Sequence, residues 1–287
     1  MKMDVTQKMH VCCPLCSATD LNLLWTVDGY SIAKCPACTL VFVRNQLSIE
    51  ELAAYYSGFE DDSYGDENVD CLNYYYNKLG ELIRKRFPQP GKLLDIGCSR
   101  GWFLDTMQGW ECHGNEITTH YGMSAREKHG DRIFIGSFED YPMREGYFDV
   151  ITLQDVFDHI RDPQPTLEKC RKLLKPGGLI AIKVHNISCL YAQLTGSKFY
   201  AIIPPSHLFY YDKRTLALTL QKAGFEVTDT KFIGHLFKVK TIFHRLSKGD
   251  LNSGMHRLYE SLNGTTLGEL KFTKNLHDII TVVATKP

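Results

Sequence analysis

Two acids, Asp95 and Glu116, stand 21 residues apart, and the first opens a turn of small residues, Gly97, Ser99 and Gly101. An acid at the tip of a second strand, about 20 residues beyond a glycine-bearing turn, is placed to accept hydrogen bonds from both hydroxyls of a ribose. Glycine suits the turn because a side chain there would hold a ligand away from the backbone. The spacing argues against a dinucleotide. That ligand needs G-x-G-x-x-G, with its pyrophosphate on a helix N-terminus, whereas here the small residues fall at every second position. The plain alternative is a Gly-rich strand-to-helix turn of any α/β protein.

A second set of chemically capable residues lies near the N-terminus. Cys13-Pro-Leu-Cys16 is followed by eighteen residues and then Cys35-Pro-Ala-Cys38. Two C-x-x-C knuckles at that separation have the spacing of a tetrathiolate zinc ribbon. The run between them, with Asp28-Gly29 as its turn, reads as the hairpin that brings the knuckles together. So short a segment cannot bury enough apolar surface to fold alone. A structural zinc would contribute roughly 10–16 kcal/mol of apparent folding free energy. A disulfide pair and unligated core cysteines are the alternatives, and Cys12 adjoins the first knuckle.

Elements that could position these groups follow from the apolar pattern. Strands are expected at 92–95, 111–116, 133–136, 150–153, 178–184, 226–233 and 279–286, alternating with helices. That alternation implies an α/β, doubly wound, mainly parallel seven-stranded sheet. The helix before Pro176-Gly177-Gly178 should stop at those residues, since proline and glycine do not continue it. Three parts are expected: a zinc ribbon over 1–46, a helical lead-in over 47–90 and the sheet domain over 91–287. The lead-in holds helices near 48–56 and 72–87, and residues 234–277 read as a helical insertion. Ligands of such sheets bind at the carboxyl ends of the strands, where Asp95, Glu116, Ser137 and Asp155 fall.

Three stretches carry a family resemblance. The acid plus Gly97-x-Ser99-x-Gly101 resembles motif I of the class I S-adenosylmethionine (AdoMet)-dependent methyltransferases. The order FDV, then Asp155 to His159, then LLKPGG resembles that family's middle signature, in the form of the Methyltransferase 23 group. PPSHLFYYDKRTLALTLQKAGFEV resembles the group's P-x-H segment. The resemblance covers nearly all of residues 92–287. It implies a Rossmann-like fold whose last strand enters antiparallel between the fifth and sixth. It also implies AdoMet as cofactor and S-adenosylhomocysteine as product. Asp95, Gly97, Ser99 and Gly101 would then line the methionine and ribose, and Glu116 would take the ribose hydroxyls. Ser137 and Phe138 would border adenine, and Asp155 would complete the site. Ser99 departs from the family's glycine, and a positive φ there would cost roughly 1 kcal/mol or more. The lead-in would cover the cofactor, bringing Tyr55, Tyr56 and Tyr64 near it, although ordinary helix packing explains most of these tyrosines.

Methyl transfer from a sulfonium is an in-line displacement that mainly needs alignment, and a base helps when the acceptor is a hydroxyl. His207, in the P-S-H segment, and His159, beside Asp158, are the candidate bases, with His185 after the fifth strand as a weaker third. Asp155, Asp158 and His159 resemble the E-x-x-E-H cluster of the ubiquinone-pathway O-methyltransferases, where a divalent cation can bind. His207 as a mere helix cap is the competing reading, and Asp212 looks the better cap.

The acceptor is expected to be a small molecule or sugar. Five Lys or Arg residues and no acids between Asp229 and Asp250 would attract a phosphate-bearing one, or else form a solvated helix face. An RNA-modifying enzyme gripping RNA with its ribbon and a non-catalytic scaffold are the other classes. With 33 basic and 33 acidic side chains, the balance disfavours a nucleic-acid partner. The scattered Cys71, Cys98, Cys112, Cys170 and Cys189 suit a reducing compartment. With no signal-like start and no membrane-length apolar run, a cytoplasmic location is expected.

Overall fold

The computed structural model describes residues 9–57, 69–247 and 251–287. Its centre is a seven-stranded sheet: β1 (Lys92–Ile96), β2 (Glu111–Glu116), β3 (Ile133–Ile135), β4 (Phe148–Gln154), β5 (Leu174–His185), β6 (Glu226–Lys231) and β7 (Ile279–Thr285). The order across the sheet is β3-β2-β1-β4-β5-β7-β6. Strands β1 to β5 pair in parallel, and β7 enters antiparallel between β5 and β6, as the resemblance implies.

The inner strands are apolar on both faces because helices cover both, and all seven residues of β7 are buried. One face packs Leu93, Val150, Leu179 and Ala181 under the helix Val69–Arg86 through Leu79 and Ile83. The other packs Leu94, Ile151, Ile180, Ile182 and Ile280 against Pro163–Leu173 and Lys213–Lys222. The lead-in helix Ile49–Ser57 starts with a reciprocal cap: Ser48 N–H donates to Glu51, and Glu51 N–H donates to Ser48 Oγ. Tyr55 is half-buried, packed against the Ile32 and Val43 cluster. The Tyr56 side chain and Tyr64 lie outside the described residues.

The helix before β5 ends at Leu173, ahead of the expected Pro-Gly-Gly stop, and β5 begins at once at Leu174. Pro176 disfavours helical geometry at Lys175. The Lys172 and Leu173 carbonyls are met by the N–H groups of Gly146 and Tyr147, so the helix ends with its acceptors satisfied.

The N-terminal hairpin pairs Asn22–Val27 with Tyr30–Lys34 around Asp28-Gly29, both left-handed, as a two-residue turn requires. Val41–Val43 adds a third strand, and a fourth comes from far along the chain, Phe209–Tyr210. Cys13, Cys35, Leu40 and Phe42 share one buried cluster with Leu208, Phe209, Tyr211 and Leu216. Within residues 234–277, read as a helical insertion, the described residues form two helices, Val239–Ser247 and Gly254–Leu262. They are framed by an antiparallel pair, His235–Lys238 with Lys271–Lys274, which sequence reading missed. Phe237 and Phe272 stack across that pair at 6.0 Å.

Candidate active site

The turn after β1 is left-handed at alternate residues: Gly97 at φ 72°, Ser99 at 48° and Gly101 at 78°. Gly97 is required twice over, because a Cβ there would also overlap Val156 Cγ2. Ser99 bears the cost of a side chain in this conformation, and its N–H donates to Glu116 Oε2 at 2.8 Å. Thr118 N–H donates to the other oxygen at 2.8 Å. Glu116 therefore ties the turn after β1 to the tip of β2. Burial pushes its pKa up against these two bonds, and it remains higher than an ordinary glutamate. Ser137 and Phe138 follow β3. Ser137 donates to Glu139, and the Phe138 ring turns inward to Tyr141 at 5.9 Å.

On the face covered by Val69–Arg86, the apolar rows of the sheet give way to polar ones at the strand tips. Asp95 Oδ1 accepts from Thr152 Oγ1 at 2.6 Å and Gln154 Nε2 at 3.3 Å, and burial raises its pKa to about 7. Gln154, Lys183 and Thr281 are register neighbours on β4, β5 and β7. Lys183, only 5% exposed, donates to Asp155 Oδ2 at 2.5 Å and lies 4.2 Å from the centre of the Tyr75 ring. The Tyr75 hydroxyl meets Thr281 Oγ1 at 2.7 Å. Asp155 is itself left-handed, at φ 55°. Gln154 Oε1 and Asp155 Oδ1 are buried with no hydrogen-bond partner among the described residues.

Sequence reading missed Lys183 and Gln154. The signal for Lys183 was a lone lysine inside the apolar run LIAIKV, where a charge is costly without a purpose. Unsatisfied buried acceptors cost about 1–3 kcal/mol each. A ligand bringing an ammonium and hydroxyls would relieve them, so the residues present fit AdoMet.

A second group lies past Asp155. Asp158 is 2% exposed and faces imidazoles from three segments. Its Oδ2 lies 3.4 Å from His185 Nδ1 and 3.9 Å from His207 Nδ1, and its Oδ1 lies 3.8 Å from His159 Nε2. The ring centroids of His159 and His207 are 4.5 Å apart, and those of His185 and His207 5.1 Å. His207 Nδ1–H donates to Ala201 O at 2.7 Å, which leaves Nε2 with the lone pair. Burial lowers His207 to about 4. Burial alone would also lower His185, but Asp158 overrides it and raises that imidazole above its ordinary value. For Asp158 the imidazoles outweigh burial, holding the carboxyl below its usual range.

The helix-cap reading of His207 fails, because Asp212 caps Lys213–Lys222 in a reciprocal box with Thr215. Ligand atoms of Asp158, His159 and His207 lie within 4.8 Å of one another, a set able to hold a cation. Asp155, expected in such a set, is paired with Lys183 instead.

The four knuckle cysteines converge. Cys13 and Cys38 sulfurs are 3.4 Å apart, as are those of Cys16 and Cys35, and all four lie within 4.8 Å of one another. Tetrahedral zinc with bonds of about 2.3 Å would place sulfurs at comparable separations, so this set fits the metal. All four are free thiols, and Cys12 is exposed and outside the group.

Of the basic stretch, Lys238 and Lys240 are buried against Glu269 at 3.0 and 2.5 Å, and Lys231 pairs with Asp229. Among the described residues no helix is long and apolar enough to cross a membrane.

Comparison with known proteins agrees with this geometry. The chain is 24% identical over 201 residues to the ubiquinone biosynthesis O-methyltransferase of Xylella fastidiosa, covering 64% of this chain and 80% of that protein. To the enzyme of the same name from Vibrio atlanticus it is 30% identical over 145 residues, 46% of this chain and 58% of that one. In structure it is similar to a chain of the Haloferax volcanii complex between the Trm112 methyltransferase activator and its partner methyltransferase. That match has a TM-score of 0.54 and 17% identity, over 83% of this chain and 98% of the other. The YcgJ protein of Bacillus subtilis matches with a TM-score of 0.50 and 16% identity, over 74% and 98%. The methyltransferase-domain family model matches residues 71–230, more than half the chain, and with the glycine turn, the paired acids and the strand order in place, the chain belongs to the Methyltransf_23 family of AdoMet-dependent methyltransferases.

Proposed function

We propose that the chain methylates a hydroxyl of a small-molecule acceptor, with His207 as base, and that the four thiolates hold a structural zinc. The observation that carries this reading is the Asp158 cluster. It sets His159, His185 and His207 around one buried carboxylate, three residues beyond the Asp155 that borders the cofactor row. Relatives named as O-methyltransferases support a small-molecule hydroxyl acceptor.

When bound, AdoMet supplies a sulfonium-activated methyl group. Asp95, Gly97, Ser99, Gly101 and Glu116 would hold it, Glu116 serving the ribose hydroxyls, while Ser137 and the backbone at Phe138 would border the adenine. His207 is neutral near pH 7, and its Nε2 is kept unprotonated by the Nδ1 bond to Ala201. The acceptor proton passes to that nitrogen, and Asp158 stabilises the imidazolium that forms. His159 is the alternate base, its Nδ1 lying 3.3 Å from Ser206 Oγ. General-base assistance of this kind contributes about 10²–10⁴-fold.

The test is incubation of purified protein with methyl-labelled AdoMet, a panel of phenols, sugars and sugar phosphates, and total RNA. Label in a small hydroxyl-bearing molecule is expected. Label confined to RNA, or to nitrogen acceptors, would remove the reading.

A further inference from the structure

A buried ion pair is a weak source of stability, since well-packed apolar residues commonly do as well. Lys183 and Asp155 form such a pair at the tips of β5 and β4, under the helix Val69–Arg86. Each member has unused capacity. Among the described residues Lys183 makes one hydrogen bond for its three N–H groups, and Asp155 keeps Oδ1 buried without a partner. Beside them Gln154 spends its amide N–H on Asp95, and its Oε1 has no partner among the described residues. The cluster therefore presents a cation and two orphan acceptors side by side. It also adjoins the glycine turn, because Val156, next to Asp155, packs so closely over Gly97 that a Cβ there would overlap it.

An α-amino acid group offers the reverse pattern, a carboxylate beside an ammonium. We infer that Lys183, Asp155 and Gln154 form the socket for the amino-acid end of AdoMet, Lys183 taking the α-carboxylate and the two orphan oxygens the α-ammonium. This assignment rests on the AdoMet reading above. Ligand and socket would meet as two antiparallel charge pairs, so that neither buried charge stays half-satisfied. Tyr75, 4.2 Å from Lys183 Nζ, keeps the ammonium over its ring and closes the socket on the helix side. The competing account makes the pair purely structural, a pin that holds Asp155 left-handed.

The two accounts separate by titration calorimetry of the full chain with S-adenosylhomocysteine, its carboxyl methyl ester, and 5′-methylthioadenosine, which lacks the amino-acid tail. In Lys183→Gln, affinity for S-adenosylhomocysteine should fall at least tenfold while methylthioadenosine binding stays within twofold of wild type. Lys183→Arg should recover part of the loss. An unchanged affinity for S-adenosylhomocysteine, or an equal loss for both nucleosides, would overturn the socket. Wild type should itself bind the methyl ester at least tenfold more weakly than the acid, and equal binding would overturn the socket even if no Lys183 variant folded. Wild type that bound none of the three would instead remove the AdoMet reading beneath it.

Discussion

The proposed cofactor half of the site and its proposed acceptor half are built differently. The cofactor half is local in sequence: Asp95, the glycine turn and Glu116 all lie within β1 to β2, and backbone N–H groups hold the key carboxylate. The acceptor half is assembled from distant pieces. Asp158 and His159 follow β4, His185 ends β5, and His207 comes from a segment whose next residues, Phe209–Tyr210, complete the sheet of the N-terminal hairpin. A ligand with one fixed structure is thus met by short-range geometry. The half proposed to face the acceptor depends on packing between the central sheet and the cysteine-bearing unit.

That difference can be broken most forcefully at the metal. Removing zinc with a chelator, or substituting Cys35→Ser, should cost a large part of the roughly 10–16 kcal/mol that a tetrathiolate site contributes. The expected result is a lowered melting temperature, with amide exchange speeding first at Phe42, Leu208 and Phe209, which share the buried cluster with Cys13 and Cys35. Protein lacking zinc on metal analysis, yet equally stable, would undo the comparison.

His207→Ala sharpens it. Turnover should fall roughly 10²-fold or more while affinity for S-adenosylhomocysteine is unchanged. Normal turnover would move the role to His159. On the cofactor side Glu116→Ala should weaken S-adenosylhomocysteine binding by about 1–3 kcal/mol. Part of that loss should come through the turn, since Ser99 N–H loses its acceptor. Unchanged binding in that variant would place the ribose elsewhere.

The smallest expected effect is a pH dependence. Burial raises Asp95 to about 7, well above an ordinary aspartate near 3.9. The stability this group contributes is present below about pH 4 and is lost as pH rises through about 7. A bound ammonium favours the ionised carboxylate, so binding below pH 7 expels a proton. Affinity for S-adenosylhomocysteine should therefore weaken on acidification from pH 7, by at most about tenfold per pH unit. Asp95→Asn should flatten the profile, and a slope that survives in that variant belongs to another group.

The comparison also explains what the sequence made legible. The turn after β1 and the convergence of Cys13, Cys16, Cys35 and Cys38 follow from local spacing, whereas the strand order followed only from the family resemblance, and the structure reproduces each. The positive φ at Ser99 was foreseeable because its neighbours at every second position are glycines. The gathering of His159, His185 and His207 on Asp158 depends on a strand end and two loops meeting, which no periodicity encodes. Phe209–Tyr210 is a two-residue strand, too short for alternation to mark it. Lys183 was legible but overlooked, since an apolar strand invites attention to its length rather than to its one charge. The insertion's β pair was missed because HLFK and KFTK are separated by two helices and pair only through tertiary packing.

A crystal structure of the chain with S-adenosylhomocysteine tests the division into two halves most directly. The ribose should lie on Glu116, the nucleoside should run along the turn Gly97 to Gly101, and the sulfur should face the imidazole of His207. A ligand bound in that turn with its sulfur directed away from His159, His185 and His207, or bound at another edge of the sheet, would contradict it.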